Sequence, residues 1–241
     1  MVSLSDLQKA ERIHTVVLDQ PTSSITGTRS TMKLLWTLSF SLVALAASIQ
    51  STDSSCDDFP TSTLEFTSEF QQPKPPLVKP EFQTSFIQHK WNNNLSHITS
   101  GYIYFSPSQN LVRADEAYDG GLASSIFDYS KTNKEGLVLN KLTSYEVNST
   151  DPTVWMGYVM SNYPLFTEDF LIRGDAVFGG LVKRNLLTKH VASWNLMYSS
   201  IPVTVFVDAC GVVVGYDYFS PGLRTRVVTD FFNIAIGPVK V

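Results

Sequence analysis

Short runs of β-branched and aromatic residues, separated by turn residues, dominate the chain after residue 80. The separators are rich in Gly, Asn, Asp and Pro, which is typical of strands joined by tight turns. About ten such runs, spaced by about ten residues, predict a mainly β domain, built as two stacked antiparallel sheets or as a half-open barrel. The predicted strands are Glu81–Trp91, Thr99–Ser106, Leu111–Tyr118, Leu122–Tyr129, Gly136–Glu146, Thr153–Met160, Phe170–Phe178, Ile201–Val207, Gly211–Phe219 and Arg224–Ile236.

Three of the separators have the composition of tight connections between neighbouring strands. Residues 107–110 (Pro-Ser-Gln-Asn) and 119–121 (Asp-Gly-Gly) predict hairpins, and residues 208–211 (Asp-Ala-Cys-Gly) predict a third turn. Helix signals are few: residues 167–169 (Thr-Glu-Asp) resemble a helix cap, and Leu181–Ala192 has partial helical periodicity. We therefore expect at most one or two short helices.

Several of the predicted strands are apolar on both faces. Ile103 and Phe105 alternate with Tyr102 and Tyr104, and residues 154–160 have no polar phase. An antiparallel sheet with one face in water should instead alternate between apolar and polar side chains. We expect both faces of these strands to be covered, by a second sheet, a helix, a partner subunit or a bound ligand.

The first third of the chain lacks this strand pattern. Residues 1–31 are polar and are interpreted as an extension upstream of the natural start methionine. Residues 32–48 combine a basic residue, an apolar run and small residues, which is the pattern of a secretory signal peptide. The apolar run is shorter than the roughly 20 residues of a spanning helix, so cleavage is expected to leave no membrane anchor. The alternative is an uncleaved signal anchor that follows a short cytosolic tail.

Two further segments complete the predicted organisation. Residues 49–80 are rich in Ser, Thr and Pro and are interpreted as a flexible lead-in. Residues 81–241 are expected to form a single β domain, since their length suits one hydrophobic core.

Charge and cysteine content fit the secretory interpretation. Without residues 1–47 the chain loses four basic and three acidic residues from totals of 18 and 22, which leaves a net charge of −5 and no basic run. That composition argues against nucleic acid or an anionic membrane as the main partner. Cys56 and Cys210 would form one disulfide in an oxidising compartment, with two free thiols as the alternative. Asn94 and Asn148 each begin an N-glycosylation triplet.

No sequence motif predicts a catalytic centre. The nucleophile elbow, the zinc-protease pair, the Walker loop and the dinucleotide fingerprint are absent from the sequence. His89 and His97 flank a predicted turn and would approach each other there, but their spacing is not a zinc signature, and His190 is distant in sequence. Surface or turn histidines are the simpler interpretation.

Acidic residues cluster at the end of one predicted strand. Asp115, Glu116 and Asp119 would provide oxygen ligands of the kind that calcium prefers, although no spaced loop motif accompanies them. Solvated turn carboxylates are the alternative. No cofactor is predicted, and the sequence leaves open whether calcium binds.

Residues 100–105 (Ser-Gly-Tyr-Ile-Tyr-Phe), followed by residues 110–116 (Asn-Leu-Val-Arg-Ala-Asp-Glu), resemble a strand and its return strand in ependymin-related proteins. Further segments in the order of that family are Phe170–Gly179, residues 193–195 and residues 205–214. The resemblance covers residues 82–220 and implies two stacked sheets, similar to bacterial lipoprotein carriers, with an apolar cleft for lipid-like ligands and a calcium site. The family has more paired cysteines than the two present here, so its disulfide framework is not transferred.

Together these observations predict a secreted glycoprotein, extracellular or in a lysosome-like lumen, that binds a hydrophobic, lipid-like ligand without catalysis. Aromatic surface would supply most of the affinity. The residues predicted to line the cleft are Tyr102, Tyr104, Trp155, Tyr158, Trp194 and Phe206. Two alternatives remain: an adhesive or structural extracellular module that buries its second face in a homodimer, and a secreted hydrolase of unrecognised type.

Overall fold

The computed structural model describes Asp58, Phe59, Thr63 and residues 71–241 apart from residues 93, 94, 148, 199, 200 and 223. Within this part of the chain, eleven strands form one continuous, open antiparallel sheet. The strands are β1 (Phe82–Asn92), β2 (Leu95–Ser106), β3 (Leu111–Tyr118), β4 (Gly121–Thr132), β5 (Val138–Glu146), β6 (Thr153–Val159), β7 (Val177–Lys183), β8 (His190–Tyr198), β9 (Ile201–Val207), β10 (Val213–Ser220) and β11 (Thr225–Ile236). The predicted mainly β class is confirmed, with the strands in one open sheet.

Helical structure is confined to short pieces in the described residues. A 3₁₀ turn covers Pro107–Gln109, and one α-helix, α1, covers Phe170–Arg173. No helix in the ranges that the structure describes is long and apolar enough to cross a membrane.

Two meanders meet at the centre of the sheet. Strands β1 to β6 pair in sequence order, strands β7 to β11 do the same, and β1 pairs with β11, where Phe86 lies opposite Phe231. The two outer edges are therefore β6 and β7. The connection between these edges, residues 160–176, contains α1 and is called the crossover below.

One face of the sheet, called the inner face, carries the main hydrophobic core. Along β1 the side chains of Phe82, Thr84 and Phe86 are buried while those between them are more exposed, as the period of two in a strand requires. The crossover packs on this face. The ring centroid of Phe166 lies 5.2 Å from that of Phe105 in β2 and 5.8 Å from that of Tyr216 in β10. Both meanders therefore wrap around the same crossover.

The opposite, outer face is covered on one half only. On β9, Phe206 is buried beneath Arg184 from the β7–β8 connection, and its guanidinium carbon lies 4.0 Å from the ring centroid. On β6, the outer side chains are 44% to 66% exposed. These side chains are Val154, Met156 and Tyr158. None of the described residues covers the outer face of β6, and the partner subunit or ligand that the expectation allows there stays a prediction.

The three predicted turns are confirmed, at residues 107–110, 119–121 and 208–211, where they join β2 to β3, β3 to β4 and β9 to β10. Each of them contains a residue with a left-handed backbone conformation: φ is 54° at Asn110, 103° at Gly120 and 77° at Gly211. Asn and Gly are the residues that adopt this region at least cost.

Two element predictions are wrong. Phe170–Phe178 is not a strand, because its first part forms α1, where the backbone N–H of Arg173 donates to the carbonyl of Asp169. Leu181–Ala192 is not a helix: it contains the end of β7, a turn and the start of β8. Pairing of β7 with β8, and of β8 with β9, outweighs the weak local helical periodicity.

Candidate ligand-binding cavity

A cavity of about 330 Å³ lies between the crossover and the inner face of β8 to β11. Its volume falls at the lower end of the range of small-molecule sites, which starts near 300 Å³. Most of the wall is apolar. The apolar lining residues are Met160, Pro164, Leu165, Phe166, Phe170, Leu196, Met197, Ile201, Val203 and Val205.

The strand register determines the sheet side of the cavity. Val203 lies opposite Leu196 in β8 on one side and opposite Tyr218 in β10 on the other. Val205, two residues further along β9, lies opposite Tyr216. Since side chains two residues apart share a face, these side chains form one contiguous apolar wall on the inner face.

Tyrosine hydroxyls attach the crossover to this wall. The hydroxyl of Tyr216 donates to the carbonyl oxygen of Asn162 at 2.7 Å, and the hydroxyl of Tyr218 donates to its side-chain Oδ1 at 3.0 Å. Both rings also line the cavity. Each tyrosine thus presents apolar surface to the cavity and satisfies a polar group of the crossover.

A second polar contact lies on the inner face of the other meander. The hydroxyl of Tyr163 donates to Oε2 of Glu116 in β3 at 2.9 Å, and the hydroxyl of Tyr129 in β4 donates to the Tyr163 carbonyl at 2.5 Å. Burial raises the pKa of Glu116 above its usual value, and the Tyr163 hydrogen bond and the charge of Lys90 oppose this rise only in part. Burial also raises the pKa of Tyr163 far above its usual value, so this phenol stays protonated and donates.

Two charged side chains are among the residues that line the cavity, and both are cationic. Lys90 extends from the inner face of β1, and Arg173 ends α1. Nε of Arg173 lies 3.0 Å from Oδ1 of Asp169, and its guanidinium also donates to the hydroxyl of Thr167. No carboxylate from the described residues lines the cavity.

Four of the six predicted cleft residues lie on the outer face. Tyr102 and Tyr104 are neighbours there, with ring centroids 5.7 Å apart, and the guanidinium of Arg113 lies 5.3 Å from the Tyr104 ring centroid. Tyr158 is 44% exposed at the open edge, and Phe206 is buried on the other half of the sheet. The structure does not bring these four side chains together.

The remaining two predicted residues, Trp155 and Trp194, belong to the inner face. Trp155 packs partly buried against the main core, and Trp194 is buried with its ring centroid 5.4 Å from that of Phe178. The indole N–H of Trp194 has no hydrogen-bond partner among the described residues. None of the six predicted residues lines the cavity described above.

Sequence reasoning missed the crossover as a wall of the site. A signal was present: Tyr163, Phe166 and Phe170 recur at intervals of three and four residues, which is a helical spacing and not a strand alternation. Pro164 and the short length of α1 obscured this pattern.

The two histidines that flank the β1–β2 hairpin do not meet. His89 is opposite Ile98, and His97 is opposite Lys90, so the two imidazoles lie on opposite faces of the sheet. On the outer face, Nε2 of His89 is 2.6 Å from the hydroxyl of Ser96, and the His89 ring stacks on Trp91. Neither His89 nor Ser96 lines the cavity described above.

The predicted acidic cluster is also divided by the sheet. On the outer face, the carboxylate of Asp115 accepts hydrogen bonds from Arg113 at 2.9 Å and from Ser124 at 2.6 Å. Glu116 points to the inner face, where it meets Tyr163. In the described ranges no group of three or more His, Cys, Asp or Glu could hold a metal ion.

Three residues of the predicted modifications, Cys56, Asn94 and Asn148, lie outside the described residues. The disulfide and the two glycosylation sites therefore stay predictions. Cys210 occupies the predicted β9–β10 turn, where its backbone N–H donates to Oδ1 of Asp208 at 2.9 Å.

No protein-family model and no curated protein matches the sequence. Among solved structures, a DUF1329 family protein from Desulfovibrio piger aligns with 66% of this chain and 86% of its own, at 9% identity and a TM-score of 0.32. An outer membrane lipoprotein-sorting protein domain from Vibrio parahaemolyticus aligns with 67% of this chain and 87% of its own, at 6% identity and a TM-score of 0.33. Likeness this low transfers no function, and the resemblance to ependymin-related proteins stays a prediction.

Proposed function

We propose that this protein binds one hydrophobic, lipid-like small molecule in the cavity between the crossover and β8 to β11. The observation that carries the proposal is the cavity of about 330 Å³ with its mainly apolar wall. Protein interiors are packed to the density of organic crystals and contain few voids larger than a water molecule. An apolar space of this size is therefore better explained as a binding site than as a packing defect.

The polar groups around the cavity support binding in preference to catalysis. The hydroxyls of Tyr216 and Tyr218 are used by Asn162, which leaves their rings as contact surface for a ligand. Burial of apolar area contributes about 25 cal/mol per Å², so a ligand with a hydrocarbon chain would gain its affinity from this wall.

Native mass spectrometry of protein expressed from Met32, secreted and purified without detergent, tests this function. We expect adducts of lipid-like mass that disappear on unfolding, and we expect the neutral fluorophore N-phenylnaphthylamine to bind in their place. The variant Val203→Trp fills the cavity and should abolish fluorophore binding. Ile98→Trp, on the exposed outer face of β2, is the matched control and should bind normally. Equal binding by both variants would place the ligand elsewhere and refute the proposed site.

The same spectra test the proposed secretory processing. We expect removal of residues 32–48, glycans at Asn94 and Asn148, and a Cys56–Cys210 disulfide. Glycosidase treatment lowers the mass by that of the glycans, and reduction of the disulfide raises it by two hydrogens, so the two kinds of modification are measured separately. An unprocessed, glycan-free chain from the secretory route would contradict this part of the proposal.

A second candidate function, homodimerisation through the outer face, has its own supporting observation. The outer face of β4 to β6 exposes a group of large apolar side chains next to the unpaired β6 edge, and exposed groups of this kind often mark interfaces. Its members are Leu122, Tyr145, Val154, Met156 and Tyr158. Light scattering after gel filtration should then give a dimer that Met156→Asp converts to a monomer, and a wild-type monomer would refute this candidate.

A further inference from the structure

A second concave surface, a groove of about 580 Å³, lies on the outer face of the sheet over β2 to β5. We propose that this groove binds a neutral oligosaccharide. It lies on the opposite face of the sheet from the cavity, so its ligand does not depend on the proposed lipid-binding function.

The strand register explains the shape of the groove. Tyr102 in β2 lies opposite Asp115 in β3. In the neighbouring row of the outer face, Ala117 in β3 lies opposite Leu122 in β4, which lies opposite Tyr145 in β5. The small side chain of Ala117 leaves space above the sheet, and the two tyrosines stand on the outer strands of the groove. Three strand spacings separate β2 from β5, which is roughly 14 Å.

The two tyrosine rings supply flat apolar surface to the groove. Tyr102 is 38% exposed and Tyr145 is 50% exposed. The C–H groups on one face of a sugar ring pack well on an aromatic ring, whose π-face carries partial negative charge. A ligand that contacts both rings must cross the width of the groove, which requires an oligosaccharide and not a single sugar.

The floor of the groove is polar, and its charges are already paired. Nε of Arg113 donates to Oδ1 of Asp115, Nη2 lies near Oδ2, and both distances are 2.9 Å. The hydroxyl of Ser124 also donates to Oδ1, at 2.6 Å. The ion pair uses two of the five guanidinium donors, and these three contacts use three of about four lone-pair positions of the carboxylate. Neighbouring sugar hydroxyls can accept from the remaining donors and donate to the remaining lone pair.

The paired floor argues against other occupants of the groove. The side chains of Arg113 and Asp115 are 37% and 30% exposed, so both are partly hydrated. A hydrocarbon chain or a second copy of this protein would remove that water without replacing its hydrogen bonds, which costs free energy. An anion would find Arg113 already neutralised by Asp115. Sugar hydroxyls, in contrast, can replace the displaced water without bringing a charge.

Isothermal titration calorimetry on the glycosidase-treated full chain expressed from Met32 tests this class. The neutral probes are maltotriose, cellotriose, mannotriose and triacetylchitotriose, and the charged probes are trigalacturonate and deacetylated chitotriose. We expect at least one neutral trisaccharide to bind at least roughly tenfold more tightly than both charged ones, because the floor offers no unpaired counter-ion. N-phenylnaphthylamine should not compete with it, since the cavity is on the other face.

Tyr102→Ala and Tyr145→Ala should each lower the affinity for that trisaccharide roughly tenfold, because each removes one stacking surface. Tyr102→Phe keeps the ring and should bind like the wild type, which guards against a Tyr102→Ala protein that folds poorly. Tyr158→Ala is the matched control, since Tyr158 is 44% exposed on the same outer face but does not line the groove. Its affinity should equal that of the wild type.

The outcomes distinguish this site from the cavity. If no neutral trisaccharide binds the wild type, the oligosaccharide site is refuted, and a dimer found by light scattering would assign the outer face to a second copy. If a charged trisaccharide binds more tightly than the neutral ones, the neutral class is refuted. If binding survives both alanine variants, the groove is not the site. Loss of fluorophore binding alone would refute the proposed function and leave the oligosaccharide site standing.

Discussion

The phenol of Tyr163 in the crossover donates a 2.9 Å hydrogen bond to the carboxylate of Glu116 in β3. Tyr163 is 2% exposed, and its ring also contacts Phe86 at 5.7 Å and Phe127 at 5.9 Å between centroids. One residue therefore links the crossover to β1, β3 and β4. Because its partner is an ionisable group, this link depends on pH.

Stability should fall as the pH rises through the folded-state pKa of Glu116. Burial raises that pKa, so the folded state binds the proton more tightly than the unfolded state, whose Glu pKa is about 4.3. The stabilisation that comes from this tighter proton binding is complete at pH values below the pKa of the unfolded state. It is lost at pH values above the pKa of the folded state. Denaturant unfolding of wild type and Glu116→Gln across pH 4 to 8 should therefore show the variant gaining relative stability with increasing pH.

This comparison isolates Glu116 because the other carboxyls with raised pKa values, Asp208 and Asp217, are present in both proteins. Lys90 and Tyr163, the groups that act on Glu116, are also unchanged. A constant difference in the free energy of unfolding across this pH range would show that Glu116 does not titrate as predicted.

Tyr216→Phe should destabilise the protein by about 1–2 kcal/mol, because the carbonyl of Asn162 loses its donor in a buried position. Tyr216 is 1% exposed, so water cannot readily replace the lost hydroxyl. For a chain of this size the melting temperature should fall by roughly 2–8 °C. Tyr145→Phe, at a position that is 50% exposed, is the control and should melt within error of the wild type.

Arg184→Met should be among the most damaging substitutions on the outer face, with a cost of about 2–4 kcal/mol. The guanidinium of Arg184 lies 3.0 Å from Asp217 and 2.6 Å from Asp230, and all three side chains are at most one-quarter exposed. Its removal leaves two poorly hydrated carboxylates together. Urea unfolding measures the loss, and the triple variant with Asp217→Asn and Asp230→Asn should recover part of it. Failure of the triple variant to recover would indicate that contact with Phe206, and not charge, carries the effect.

Gly101→Ala should disrupt the pairing of β2 with β3. A Cβ at this position would lie 1.9 Å from the carbonyl oxygen of Asp115, which is backbone and cannot rotate away. We expect a loss of at least about 3 kcal/mol, since the strands must separate. At Gly179 the contacts of a new Cβ are the side chains of Asn195 and Ser193, so Gly179→Ala should cost less. Thermal melting of the two variants compares them directly, and equal losses would contradict the argument.

Much of the fold could be predicted from local sequence because turns and alternation are local signals. The pairing of β2 with β3 and of β3 with β4 follows from the turns at residues 107–110 and 119–121, and both were predicted. β8 was missed because residues 190–198 mix small, polar and apolar side chains, and its strand form depends on two neighbours. Non-local pairing of this kind is invisible to a short window.

The candidate site was less predictable because it depends on which face each side chain occupies. Phe206 and Val205 are adjacent in β9, yet Val205 lines the cavity and Phe206 lies under Arg184 on the opposite face. The prediction from aromatic content selected Phe206 and not Val205. The register of β9 with β8 and β10 determines which face each side chain occupies. The sequence of β9 is apolar in both phases, so its pattern does not reveal which phase faces the cavity.

The central pairing of β1 with β11 has a consequence for how the chain is made. Phe86 and Phe231 meet across this pair although 145 positions separate their numbers in the chain. During synthesis, β1 to β6 and then β7 to β10 emerge while the β1 edge still lacks its partner. A ribosome-bound chain would therefore carry two incomplete half-sheets, exposed to chaperones and proteases, until β11 arrives and joins them in a slow, non-local step.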